Sequence, residues 1–301
     1  MGRVARMYYE HGLTHQEIAN LLGVSRVRVT RLLAEARESG MVEIIVHVAE
    51  SLFADEEQAL VERYGIKQAW VAPSVAEASK ADRAFAVLGA ESLSQIIEKG
   101  SVVALGLSTA VALVVSSFPM RPLEASFVPL AGSTGGLAKG ANPHQLALEL
   151  AARTQGSAFH LPAPLLAAST EAALSAYADP GVKEVLVMAE GADVLVAGLG
   201  GMEAGQGILL GNLTADQRED LLRRGAVGDM GGRFFDAAGN AVTGPLDDRV
   251  VGVTLEALKS IPNRLVVARG ATKVTPLKAA LAGGLVNMLV TDVDTARALL
   301  L

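Results

Sequence analysis

The sequence predicts a two-part α/β protein: a small winged helix-turn-helix unit in front, then a doubly wound parallel sheet. Three observations predict it. Residues 13–37, LTHQEIANLLGVSRVRVTRLLAEAR, read as two helices joined by a glycine turn. Further on, short apolar runs without polar alternation, such as VVALGL and DVLVA, alternate with stretches of helical period. Strands apolar on both sides belong in a parallel sheet covered on both faces. Glycine-rich turns leave several of these strands, as loops over a sheet edge do.

Composition bounds the rest. At 301 residues, half of them hydrophobic, the chain can build two domains. Its longest apolar runs fall short of the roughly 18 residues of a membrane helix, and residues 1–30 lack a secretory pattern. No cysteine is present, which excludes disulfides, thiolate metal sites and cysteine nucleophiles and fits a cytoplasmic protein. The five scattered histidines give no metal site, and no cofactor is expected. The net charge of −6 argues against nucleic acid, but it is unevenly spread. Residues 1–48 hold six arginines and five glutamates, about +1, which leaves −7 to the remainder. A near-neutral module with its arginines on one helix can bind DNA while the acidic rest is repelled. With only 4% aromatic residues, a stacking surface for single strands is not expected.

Taken in order, residues 4–9 supply the first helix of the front unit. Thr14 caps the second, and Glu17 completes a capping box. Ile18, Leu21 and Leu22 are its expected apolar face, and Gly23 makes the turn. Ser25 caps the third helix, whose buried stripe is Val29, Leu32, Leu33 and Ala36. Its other face carries Arg26, Arg28, Thr30 and Arg31. Together with Thr14, Gln16 and Ser25 these are the candidate contacts to double-stranded DNA, phosphates and major-groove base edges alike. Residues 41–48, MVEIIVHV, are the expected wing. The domains are then 1–50 for DNA binding, 51–65 a linker helix with Leu52, Phe53, Ala59, Leu60 and Tyr64 on its apolar side, and 66–301 an effector and oligomerisation domain.

In that domain the expected strands are 67–71, 101–107, 125–130, 158–161, 194–197, 264–268 and 288–291. The expected helices are 81–99, 109–116, 143–154, one or more within 165–178, 180–190, 214–224, one within 247–260, 273–282 and 294–300. Residues 227–235 lead to a hairpin turning at Ala238-Gly239-Asn240.

Ligands of an open parallel sheet bind beyond the carboxyl ends of its strands, where helix N-termini receive anions. Three loops fit. Gly106-Leu107-Ser108-Thr109 offers amides and two hydroxyls as an anion nest. Gly132-Ser133-Thr134-Gly135-Gly136 and Gly198-Leu199-Gly200-Gly201 follow other strands. None is a P-loop or a full dinucleotide fingerprint. Lys273, beside Gly270 at a helix start, can place an ammonium on a phosphate. Asp229 can hold sugar hydroxyls or serve as a cap, and a cap is favoured for Asp247. Lys139, among glycines, could form a Schiff base with an aldehyde but is expected simply to be exposed.

With these residues in view, the chain resembles the SorC family of bacterial sugar-responsive transcriptional regulators, sometimes grouped with DeoR-type regulators. The resemblance runs through residues 13–37, GLSTAV at 106–111, NPHQLALELAAR at 142–153, LPAPLL at 161–166 and GLGG at 198–201. It continues in GDMGGRFFDAAGN at 228–240, DDRVVGVTLEALKSIP at 247–262, GATK at 270–273 and LVTDVDTARALL at 289–300. It implies an effector domain similar to the sugar-phosphate isomerase and deaminase fold that binds a phosphorylated sugar without turning it over. It implies phosphate contacts at Ser108, Thr109, Ser133, Thr134 and Lys273, a sugar contact at Asp229, and a homodimer or homotetramer on a repeated operator. The chain departs from the family at Arg269-Gly270, where a Gly-Gly is usual, and at Leu107-Ser108, where a tryptophan often stands.

The expected function is thus a DNA-binding regulator of carbohydrate or nucleoside catabolism switched by a sugar phosphate. The alternative is a sugar-phosphate isomerase or deaminase with an accessory DNA-binding unit, using Asp229 or Asp292 as base. No histidine–carboxylate pair at suggestive spacing supports it.

Overall fold

A computed structural model describes residues 1–42, 51–134, 142–203 and 209–301. The chain divides into two compact units, 1–50 and 51–301. In the first, α1 (Gly2–Tyr9), α2 (His15–Leu22) and α3 (Arg26–Glu38) enclose Val4, Ala5, Ile18, Ala19, Val29, Leu33 and Ala36. The capping box forms as the sequence predicts: the Thr14 N–H donates to Glu17 Oε2 at 2.7 Å, and Thr14 Oγ1 accepts from the Glu17 N–H at 3.3 Å. Gly23 takes φ +64, and Ser25 Oγ accepts from the Arg28 N–H. Leu21 departs from expectation, being 65% exposed. Ile18, Ala19 and Leu22 fall within about 100° of each other around the helix, and Leu21 points outside that arc. The predicted wing lies outside the described residues except for Met41 and Val42, and Val42 packs on the core.

The second unit starts with α4 (Ala54–Tyr64), whose Leu60 is buried while Leu52, just before it, is 83% exposed, against expectation. Then come β1 (Gln68–Ala72), α5 (Ala78–Ile96), β2 (Val102–Leu105), α6 (Thr109–Ser116), β3 (Ser126–Pro129), α7 (Pro143–Thr154) and β4 (Ser157–Ala158). They are followed by α8 (Thr170–Ala178), α9 (Pro180–Glu190), β5 (Val194–Ala197), β6 (Gly200–Gly201), α10 (Ala215–Arg223), β7 (Gly228–Met230) and β8 (Arg233–Phe235). The chain closes with α11 (Leu255–Ser260), β9 (Asn263–Val267), α12 (Val274–Ala282), β10 (Met288–Asp292) and α13 (Val293–Leu300). Among the described residues no helix is long and apolar enough to cross a membrane.

Seven of these strands form one parallel sheet in the order β1-β10-β9-β5-β2-β3-β4. Their unalternating sequences are explained by cover on both faces. Ala104, Leu195, Val266 and Leu289 pack with α4, α9, α12 and α13 on one side. Val103, Leu105, Val196, Val267 and Val290 pack with α5, α6 and α7 on the other. Each fully buried aliphatic side chain contributes about 1.5–3 kcal/mol relative to exposure, so the two layers supply most of the unit's stability.

One local expectation is incomplete and one fails. Residues 227–235 do lead to the expected small hairpin turning at 238–240, but they are also a hairpin themselves. Its turn is Gly231-Gly232, both at positive φ (+60 and +86), the conformation a two-residue turn between twisted strands requires. Beyond it the Ala238–Asn240 turn closes the expected small hairpin, with the Phe235–Ala241 bridge and the Val242 N–H on the Phe234 carbonyl. Asp247 does not cap a long helix. It ion-pairs at 2.9 Å with Arg233, only 7% exposed, whose guanidinium also donates to Tyr177 Oη, the Val250 carbonyl and the Gly252 carbonyl. A buried guanidinium has to be surrounded by acceptors, and residues 247–252 wrap around it to provide them.

Candidate functional site

Strand order reverses between β2 and β5. From β2 the chain steps to β3 and β4 on one side, and from β5 to β9 and β10 on the other. Loops leaving two such neighbours diverge at their carboxyl ends and open a crevice, the general ligand position of open α/β sheets. Here the β2 loop enters α6 through Ser108, which accepts the Ala110 and Val111 amides and is 9% exposed. The Gly106 amide is engaged by the Val196 carbonyl, so that part of the expected nest is tied down.

The β5 loop turns straight into β6, which pairs antiparallel with β7 so that Gly200 lies opposite Asp229. This pairing carries Asp229 back across 28 residues of chain to the crevice. The glycines explain the fit. A Cβ on Gly198 would overlap Ser108 Oγ, and one on Gly200 would overlap the Asp229 carboxylate. Gly232, in the hairpin turn, donates its N–H to Asp229 Oδ2 at 3.4 Å. Lys273 enters from a fourth loop, through the turn Ala271–Lys273 that follows Gly270 at φ +94. That loop is anchored by the Gly270 N–H on Thr295 Oγ1 at 2.7 Å.

The result is a cavity of about 320 Å³ bordered by Ser108, Thr109, Asp229 and Lys273, with Gly198, Gly200 and Gly232 as its close-packed floor and Asp82 and Arg269 on its wall. Burial pushes the Asp229 carboxyl up to about 6, against the Gly232 N–H and the Lys273 ammonium, which both pull it down. Burial likewise lowers the Lys273 pKa, and Asp229 raises it again. An ammonium, two hydroxyls at a helix start and a carboxylate can hold an anion at one end and hydroxyl groups at the other.

Not every expected residue joins them. Gly106 is buried behind the cavity, where a Cβ would crowd Ala197. Gly132 and Ser133 use their amides on the Val251 and Ala163 carbonyls, and Ser133 bridges Pro164; with Thr134 they stand outside the residues that border the cavity. Gly135, Gly136 and Lys139 lie outside the described residues. Asp292, the alternative base, caps α13 by accepting the Thr295 N–H at 2.8 Å. The sequence gives no sign that Asp82 and Arg269 share the cavity, because only the tertiary fold brings positions 187 residues apart together.

On the front unit, Arg26, Arg28, Thr30 and Arg31 are exposed along α3. Arg31 pairs with Glu35 at 3.1 Å, and Thr30 meets His15 Nδ1 at 3.1 Å. Thr14 and Ser25 commit their oxygens to caps, and Gln16 donates to Asn20 at 3.0 Å. Val27, to which sequence reasoning assigns no role, is 78% exposed beside the arginines. Its signal was an apolar residue off the buried stripe.

Residues 50–301 match the family described as "Putative sugar-binding domain", and residues 3–52 match the Crp-like helix-turn-helix domain. The transcriptional regulator LsrR of Escherichia coli is 31% identical over all of this chain and 94% of its own length. The full-length sorbitol operon regulator SorC of Klebsiella pneumoniae superposes with a TM-score of 0.79 at 25% identity, covering 99% of this chain and 97% of its own. This chain belongs to the SorC family. A DeoR family transcriptional regulator from Listeria monocytogenes matches 81% of the chain and 98% of its own, with a TM-score of 0.75 at 25% identity. The fold class predicted from the sequence, a helix-turn-helix followed by a parallel-sheet effector domain, holds. Like its relatives, this SorC-family chain is a transcriptional regulator with a sugar-binding domain.

Proposed function

We propose that the cavity between β2 and β5 binds a phosphorylated sugar and that its occupancy controls how tightly the arginine face of α3 holds an operator. The observation that carries this reading is the convergence of Ser108, Thr109, Lys273 and Asp229 on one cavity at the topological switch point of the sheet. Lys273 and the α6 start take the phosphate, and Asp229 accepts from sugar hydroxyls. Arg26, Arg28 and Arg31 contact phosphates and base edges, with Thr30 beside them. The working species is a homodimer or homotetramer, which presents two or more α3 helices to a repeated site. Control then follows from linkage: the effector favours one arrangement of the subunits, and DNA favours another or the same.

The test is operator binding by the full chain, with duplex selected from a randomised pool, across a panel of pentose and hexose phosphates. At least one sugar phosphate changes the affinity and raises the melting temperature of the second unit. In Lys273→Ala its affinity falls roughly a hundredfold, as loss of a charge-assisted phosphate contact implies, while DNA binding without effector is kept. No response to any of the panel, in affinity or in melting, overturns the reading.

A further inference from the structure

One wall of the cavity is not accounted for by phosphate binding. Asp82, on the first turns of α5, and Arg269, in the loop after β9, both border the cavity and form an ion pair with each other. The Arg269 guanidinium also lies 4.8 Å from the centre of the Phe85 ring, and Phe85 is fully buried. Stacking and pairing together fix the guanidinium, so Arg269 is 22% exposed at its side chain whereas Asp82 stays 46% exposed. The Arg269 guanidinium donates to Oδ1 of Asp82.

A bare carboxylate in a phosphate-binding cavity would repel its ligand. Paired with an arginine it adds almost no net charge, yet a carboxylate keeps several acceptor positions. Hydroxyl groups are what such an acceptor suits, and polar recognition of this kind discriminates strongly because an unmatched buried polar group is costly.

We propose that Asp82 is a specificity-determining residue that accepts hydrogen bonds from effector hydroxyls beyond those held by Asp229, and that Arg269 is the residue that positions it. The effector is therefore a polyhydroxylated phosphate ester with hydroxyls at the Asp82 wall. This rests on the sugar-phosphate reading above and deepens it.

The test uses the full chain and two probes, inorganic phosphate and the sugar phosphate that binds wild type best, with affinities from calorimetry. In Asp82→Asn the preference for the sugar phosphate over inorganic phosphate falls at least tenfold. Arg269→Gly lowers it similarly, and Arg269→Lys restores part of it, a pattern that general loosening would not give. Urea midpoints confirm that the variants fold. An unchanged preference overturns the proposal, as does equal loss for both probes. Tighter inorganic phosphate binding in Asp82→Asn also overturns it, because Arg269 would then be an anion ligand that Asp82 restrains. If wild type binds neither probe, or Lys273→Ala alters neither affinity, the sugar-phosphate reading has failed and the wall proposal fails with it. If Lys273→Ala weakens both probes while Asp82→Asn leaves their ratio unchanged, only the wall proposal has failed.

Discussion

In the N-terminal unit the DNA-reading candidates stand in water: Arg26, Arg28 and Arg31 are exposed on α3, and the core beneath them is a short list of aliphatic residues. In the rear unit two of the four candidate ligand groups are enclosed, Lys273 is half-buried and Thr109 is exposed. Ser108 and Asp229 are each only 9% exposed, and glycines at 198 and 200 leave room for their side-chain oxygens. The difference follows from the ligand. A duplex is larger than the unit, and an exposed charged face can meet it with little cost of desolvation. A small anion gains little from an exposed lysine in water, and a half-buried one such as Lys273 holds it better. The rear unit therefore carries strained electrostatics that the front one avoids.

Four measurements would break or sharpen that contrast. The largest effect concerns Asp229. Its carboxyl is raised from 3.8 in the unfolded chain to about 6 in the fold. Between those values the folded chain binds more protons than the unfolded one, so stability of the ligand-free rear unit falls as pH rises. The loss is complete above about pH 6 and amounts to about 3 kcal/mol. Urea midpoints against pH would show this fall in wild type and not in Asp229→Asn; identical profiles would mean the buried carboxylate is not strained.

Next is the Arg233 cluster. Asp247→Ala removes the carboxylate facing a buried guanidinium and costs the rear unit about 2 kcal/mol, seen as a lower melting temperature; the front unit's melting should not move. Third, Arg28→Ala on the exposed face should weaken operator binding roughly tenfold and flatten its salt dependence, with sugar-phosphate affinity retained on calorimetry. Loss of both would point to unfolding instead. The smallest effect is at Thr14. Replacing it by alanine breaks the capping box and costs the front unit about 1 kcal/mol, measurable as a shift in its thermal transition with no change in effector affinity.

Much of the architecture was legible because it is local. The Thr14–Glu17 and Thr214–Gln217 capping boxes both form where the side-chain spacing places them. Helices 109–116, 143–154 and 180–190 match to the residue, since a capping side chain or a proline marks each start. The parallel sheet was legible from strands apolar on both faces. The misses share a different origin. Gly132, Ser133 and Thr134 look like Gly106–Thr109 in sequence, a glycine followed within two residues by Ser-Thr. Yet the amides of Gly132 and Ser133 are taken up by carbonyls from residues 163 and 251, which no local pattern announces. Asp247 has the look of a cap, but a buried arginine 14 residues earlier claims it.

The sequence by itself determined the helices, the sheet type and which face of α3 carries its exposed arginines, because hydrophobic period and capping act between residues close along the chain. Only the tertiary structure decided which glycine loops share a cavity. That depends on strand order and on the β6–β7 pairing, and it also joins Asp82 to Arg269. Contacts of this kind form between residues whose separation in sequence carries no period, so packing alone selects them.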